Sequence, residues 1–149
     1  MYVTCIPKAQ YSDPKCVAAM QEELQKLKEY DVCEEVDHDG QNCISTRWIV
    51  TVKKEKVKAR LVARGYEEEA LVRRDSPTVD KSGIRILLMI AASKGWKVQS
   101  TDIRSAFLQG SELERDVYIK PPKEAELKGK VWKLKKCLYG LNDASRQFY

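Results

Sequence analysis

The chain has 149 residues, 43% hydrophobic and 33% charged, with a formal net charge of +5. This length suits one domain or parts of two subdomains, and the composition is that of a soluble globular chain rather than a disordered one. No apolar run approaches the ~18 residues of a membrane span, and the opening "MYVTCIPKAQ" lacks the basic-then-apolar order of a secretory leader.

In chain order, residues 1–12 lack periodicity. "SDPKCVAAMQEELQKLKEY" (12–30) predicts a helix, capped by Ser12 or Asp13, with Pro14 in the first turn where its missing N–H does no harm. Val17, Met20, Leu24 and Leu27 recur at helical steps and predict the buried stripe, while Glu22, Lys26 and Glu29 predict a solvent face. "HDGQN" (38–42) predicts a turn. "RWIVTVKK" (47–54) and "KVKARLVARGY" (56–66) predict two strands, joined by a "KKEK" hairpin that no Gly or Asn marks. A polar connector follows over 67–78. Ser82 is placed to cap a helix through "GIRILLMIAASK", and Gly95 to end it. "WKVQSTDIRSAFLQG" (96–110) predicts a strand that runs into a turn at Asp102. "DVYIKPP" predicts a short strand stopped by prolines, "KVWKLKKCLYG" another, and "LNDASRQFY" a helix start with Asn142 or Asp143 as cap. The sum is an α+β fold.

Five cysteines (Cys5, Cys16, Cys33, Cys43, Cys137) form no CxxC pair, and His38 is the sole histidine. That argues against a structural zinc and a disulfide framework, and for a reducing compartment. One histidine in a turn-rich stretch excludes a Ser-His-Asp triad, and neither GxxxxGK[ST] nor GxGxxG occurs.

Charge is concentrated. Six Lys/Arg against one Glu fall within residues 53–64. Strand alternation puts Lys58, Arg60, Val62 and Arg64 on one face and Ala59, Leu61 and Ala63 on the other, which packs. A row of cations at such spacing suits a polyphosphate or a nucleic-acid backbone, or keeps an exposed edge strand soluble. Asp102 at a strand end suits Mg²⁺, which takes few protein oxygens, or caps a short helix "IRSAF". Phe107 belongs in a core or on a pocket wall. The turn in "CLYGLNDASR" leads into a helix start, a place that accepts anions.

Together these stretches carry a resemblance. "KARLVARGY", "DSPTVDKSGIRILLMIAASKGW", "TDIRSAFLQGSELERDVYIKPP" and "VWKLKKCLYGLNDASRQFY" resemble, in order and spacing, the reverse transcriptase of copia-type LTR retrotransposons (pseudoviruses). "AMQEELQKLKEYDVCEEV" and "ISTRWIVTVK" are similar to that family's N-terminal segment. The resemblance implies a partial right-hand polymerase over residues 14–149 after an irregular segment, 1–13. Fingers would take roughly 14–95 and 117–141, and the palm would start over roughly 96–116 and 142–149. It implies antiparallel strands with flanking helices.

The resemblance also implies roles. Asp102 falls on the first catalytic aspartate, and the backbone carbonyl of Ile103 would be a further metal ligand, the cofactor being two Mg²⁺ ions in the complete enzyme. Lys58 and Arg60 would grip the incoming deoxynucleoside triphosphate. Backbone N–H groups of Ser105 and Ala106 would touch phosphate, Phe107 would sit under the sugar, and Tyr139 and Gly140 would lie beside the nucleotide. The implied partners are an RNA or DNA template-primer, the triphosphate, and the remaining palm, thumb and RNase H parts of a polyprotein, with no membrane. The implied location is intracellular, in cytoplasm or a virus-like particle.

Two departures stand out. The family's Tyr-x-Asp-Asp pair does not occur in these 149 residues, which predicts a chain that does not polymerise by itself. "KKEK" is shorter than the family's finger tip, which predicts a weakened grip. A rival expectation is a non-catalytic nucleic-acid-binding remnant of a decayed element. A third is an unstable relic, in which Leu138, Leu141 and Phe148 lack partners.

Overall fold

The computed structural model describes residues 3–69, 79–103 and 105–147. Expectations for residues 70–78 of the connector, for Arg104 and for Phe148 and Tyr149 lie outside the described residues. The fold is mixed α/β with two sheets whose pairings are antiparallel but for one.

The N-terminal stretch is not wholly irregular. Strand β1 (Thr4–Cys5) pairs antiparallel with β4 (Thr46–Lys53), and a 3-10 turn covers Lys8–Gln10. Helix α1 spans Pro14–Glu29; Asp13 caps it by accepting from Lys15 N at 2.8 Å, and Pro14 stands in the first turn. Its buried residues are Cys16, Ala19, Met20, Glu23 and Leu27. The stripe is therefore rotated from the expected one: Val17 is exposed and Leu24 only half-buried. Small side chains at 16 and 19 let the helix sit close on β5 (Lys56–Ala63), and that contact decides the face.

β4 and β5 form the predicted hairpin, in register from Thr46 opposite Ala63 to Lys53 opposite Lys56. Two residues close it, Lys54 at φ 49° and Glu55 at φ 64°. Such a turn demands positive φ at both central positions, which Gly and Asn supply easily and Lys and Glu do not. Ala59, Leu61 and Ala63 are buried, whereas Lys58 and Arg60 are exposed, as the alternation predicts.

The second sheet has the order β2-β7-β6-β3, from β2 (Cys33–Asp37), β7 (Lys130–Leu134), β6 (Tyr118–Ile119) and β3 (Cys43–Ile44), with β3 and β6 parallel. One apolar core joins both sheets and α1 through Met20, Leu27, Leu61, Ile119, Trp132 and Leu138. Leu138 and Leu141 are buried in it, against the relic expectation. Helix α2 spans Lys81–Ser93, and its cap is Asp80, accepting from Gly83 N at 2.7 Å, rather than Ser82. Gly95, at φ +64°, does end it, and Trp96 N donates to Ala91 O at 2.8 Å.

Residues 96–103 are not a strand. Trp96, Val98 and Ile103 are exposed, and no described strand offers a ladder to pair with them. A strand needs partners for its N–H and C=O groups, so apolar alternation alone does not make one. Helix α3 (Ala144–Gln147) begins where expected, although Asn142 donates to Gly65 O at 2.8 Å and the Asp143 carboxylate pairs with Arg115.

The sheets are locked where the 139–140 turn meets the end of β5. Ala63 N donates to Tyr139 O at 2.8 Å, and Gly65 N to Gly140 O at 3.2 Å. A Cβ at Gly140, itself at φ +89°, would run into Ala63 O. Gly40 has a similar φ of +86° with nothing within 4 Å. Gly40→Ala should therefore cost about 1–2 kcal/mol of backbone strain, whereas Gly140→Ala should cost about 3 kcal/mol or more, because backbone must move as well. Urea unfolding of the two variants measures the difference.

Candidate functional site

The cation row of β5 does not face open solvent alone. It forms one wall of a cleft of about 660 Å³. Lys56, Lys58 and Arg60 come from β5, and Glu22, Glu23 and Lys26 from α1; Asp102, Ile103, Ser105, Ala106 and Phe107 come from the stretch after α2, and Tyr139 from the turn after β7. Of the residues the sequence singles out, Lys58, Arg60, Asp102, Ile103, Ser105, Ala106, Phe107 and Tyr139 are thus brought together, from positions up to 81 residues apart. Gly140 does not line the cleft; it stands behind Tyr139, packed on Ala63 and Gly65.

The aromatic end is ordered by stacking. Phe107 and Tyr139 meet edge to face, with ring centroids 5.6 Å apart at 84°. The Arg60 guanidinium lies 5.8 Å from the Tyr139 ring centre, within reach of the ring quadrupole. Phe107 belongs to a 3-10 turn, Ala106–Gln109, entered from Ser105 in the left-handed conformation (φ 52°) with no side-chain capping bond. Asp102 therefore does not cap that turn. Both Asp102 and Ile103 are exposed.

Glu22 and Lys26, expected as plain surface, pair at 2.7 Å on the cleft rim. Glu23 is 6% exposed, and its Oε1 has no hydrogen-bond partner among the described residues. Burial pushes its carboxyl above the usual range, and Lys26 and Arg60 only partly offset this. Burial also raises the Tyr139 hydroxyl, Glu23 adds to it, and Ser105 pulls the other way. Sequence reading missed Glu23: the only signal was an acid at helical spacing among Cys16, Met20 and Leu27.

Also missed was the support beneath the site. Arg115 donates to Asp143 (Nη1 to Oδ2, 2.5 Å; Nη2 to Oδ1, 2.9 Å) and to Glu68 Oε1 from Nη2 at 2.7 Å and Nε at 2.9 Å. The fork ties the start of α3 and the stretch after β5 to the bend that leads into β6. Burial alone would raise Asp143, but the Arg115 bonds outweigh it and hold the carboxyl below its usual value. Burial and the neighbouring acids push the thiols of Cys33 and Cys137 to about 12, so neither is a nucleophile. All five cysteines are free. Among the described residues no group of three or more His, Cys, Asp or Glu converges, and no helix is long and apolar enough to cross a membrane.

Arg115→Met should lose about 3–5 kcal/mol at neutral pH, since it leaves two buried carboxylates unpaired. Because the folded Asp143 pKa is depressed, its contribution is present above the ordinary carboxylate pKa and lost as pH falls through the folded value. Urea unfolding across pH should show the gap between wild type and variant narrowing below about pH 4.

Comparison with known proteins gives the family of the chain. Residues 28–149 match the family model described as reverse transcriptase (RNA-dependent DNA polymerase). The chain is 37% identical to the retrovirus-related Pol polyprotein from transposon TNT 1-94 of Nicotiana tabacum, over 88% of this chain and 11% of that protein. It is 36% identical to the Pol polyprotein from transposon RE1 of Arabidopsis thaliana (71% and 8%) and 30% identical to the transposon Ty1-DR4 Gag-Pol polyprotein of Saccharomyces cerevisiae (85% and 8%). The chain thus spans about a tenth of the length of these relatives. No solved structure matches it. With a family match over most of its length and relatives among transposon Pol polyproteins, the chain belongs to the reverse transcriptase family, of the copia type.

Proposed function

We propose that the chain forms the nucleotide-gripping part of an RNA-directed DNA polymerase, with fingers over roughly 14–95 and 117–141 and the start of the palm over roughly 96–116 and 142–149. The observation that carries the reading is the single cleft with Lys58 and Arg60 on one wall and Asp102 and Phe107 among its other lining residues. Lys58 and Arg60 take the triphosphate oxygens, Lys as a point charge and Arg as a planar donor pair. Phe107, braced edge-on by Tyr139, lies under the sugar. Backbone N–H groups of Ser105 and Ala106 face the phosphates.

Mg²⁺ suits this donor set, because it takes one or two carboxylates and completes its shell with water and phosphate. Asp102, with the Ile103 carbonyl, would hold it, and Mg²⁺ bound there would supply charge neutralisation for phosphoryl transfer. One carboxylate does not hold two ions, and the sequence contains no Asp-Asp pair. The remaining palm, thumb and RNase H parts of the polyprotein complete the enzyme, and a template-primer is its substrate. The apolar surface of α2 supports such a covering partner: Ile86, Leu87 and Met89 are more than half exposed, whereas a helix apolar on most sides is ordinarily buried.

Primer extension by this chain, with Mg²⁺ and an RNA template, should give no incorporation; incorporation would refute the assignment of an incomplete metal site. Lys58→Ala and Arg60→Ala should each weaken dTTP binding by roughly tenfold in calorimetric titration. Retained nucleic-acid binding with steep salt dependence and no dTTP competition would favour the non-catalytic remnant instead.

Replacing Leu87 or Met89 with Glu should change stability by less than about 0.5 kcal/mol, as for an uncovered surface. Thermal melting of each variant tests this.

A further inference from the structure

The residue that the triphosphate reading leaves unused is Glu23. It sits on the buried side of α1, 6% exposed, and it lines the cleft. Its Oε1 has no partner among the described residues, and the Arg60 guanidinium stacks on Tyr139. A buried carboxylate with one oxygen left unpaired is costly, and a passive core has no use for it. Here Lys26, Arg60 and the Leu61 backbone favour its charge, but they do not outweigh burial.

The charged and titratable groups that line the same cleft come from four segments. Its own helix contributes Glu22 and Lys26; β5 contributes Lys56, Lys58 and Arg60; the stretch after α2 contributes Asp102; the turn after β7 contributes Tyr139. In the empty cleft the cations favour the ionised carboxylate. An arriving triphosphate brings several negative charges against the same cations and neutralises the field that sustains Glu23. Like charge in a partly desolvated site then favours the protonated acid.

Building on the triphosphate reading of this cleft, we propose that Glu23 is its proton-linked counter-charge: ionised while the cleft is empty, and taking up a proton from solvent when a nucleoside triphosphate binds. The consequence is that binding tightens as pH falls through the range in which Glu23 is still ionised in the empty cleft. Burial of the carboxyl, which already leans it toward the protonated form, supports this.

The test is calorimetric titration of the chain with dTTP near neutral pH, in two buffers of different protonation enthalpy. Cations depress the phosphate's own pKa, so the ligand contributes proton release; net uptake has to come from the protein. The expected result is net uptake by wild type, lost in Glu23→Gln, with the variant binding roughly three- to tenfold tighter because a like charge is gone. Weaker binding by Glu23→Gln, with proton uptake unchanged, would make Glu23 a mere brace for Arg60 and overturn the inference. If Lys58→Ala and Arg60→Ala leave dTTP affinity unchanged, the cleft reading itself falls, and this inference with it. If those variants weaken binding but Glu23→Gln binds as wild type does, only the inference falls. Should the glutamine variant not fold, the wild-type titration decides alone, since absence of net uptake overturns the proposal.

Discussion

Everything in this fold that concerns the cleft depends on a backbone seam. The end of β5 and the turn after β7 approach so closely that Gly65 and Gly140 have no room for a Cβ, and two hydrogen bonds cross the gap. The seam does two things together. It joins the hairpin sheet to the second sheet, so that one core runs through both. It also sets Tyr139 beside Arg60 and against Phe107. An interaction made only of main-chain groups tolerates no slack, so the aromatic end of the cleft inherits the rigidity of the core.

Electrostatics favours the proposed ligand over stability as the reason for the cation row. Exposed Lys and Arg add little to folding, commonly under about 1 kcal/mol per pair, and like charges along one strand repel. Keeping an edge strand soluble needs one or two such residues, on a surface that faces water. Here the cations face a concave space with carboxylates at its edges and aromatic rings at its end. A cleft with low-dielectric walls concentrates their field, which is the arrangement that attracts a polyanion. The Arg115 fork is the opposite case. Its acids are buried, its geometry is two-pronged, and it fastens α3 and the stretch after β5 together.

Legibility of the sequence followed the physics of each segment. The hairpin strands were readable because one face is packed and the other charged, so the period of two survives in "KVKARLVAR". Strand β2, "CEEVD", was not, because charged residues fill both faces and its pairing with β7 is what makes it a strand. The hairpin turn was readable from the shortness of "KKEK" alone, because Lys54 and Glu55 adopt a conformation ordinarily given to Gly or Asn. Helix α1 was readable but its face was off by part of a turn, because small Cys16 and Ala19 pack closer than Val17 can. At the cleft, residue types left Lys58, Arg60, Asp102 and Phe107 with a plain and a functional reading each, and only the resemblance to copia-type reverse transcriptases singled out the functional one. Glu23 and Arg115 carry no local pattern; only tertiary proximity gives them meaning.

The 96–103 stretch separates the two halves of the site in kind. Lys58 and Arg60 stand on a strand paired along its length and backed by a core helix. Asp102 stands on an exposed segment with no ladder beside it, following a helix whose apolar side chains are open to solvent. Phosphoryl transfer is governed by placement, and an error of about 1 Å in a reacting group costs on the order of a hundredfold. Gripping phosphates asks less, since a point charge or a guanidinium fork acts over a broader range of positions. The cation wall is therefore preorganised by this chain's own packing, whereas the proposed function would need a further surface to cover α2 and pair with residues 96–103. Under the proposed function, binding of a triphosphate and transfer of its phosphoryl group would draw on different parts of the fold, the first resting on the core and the second on a contact that the described residues do not make.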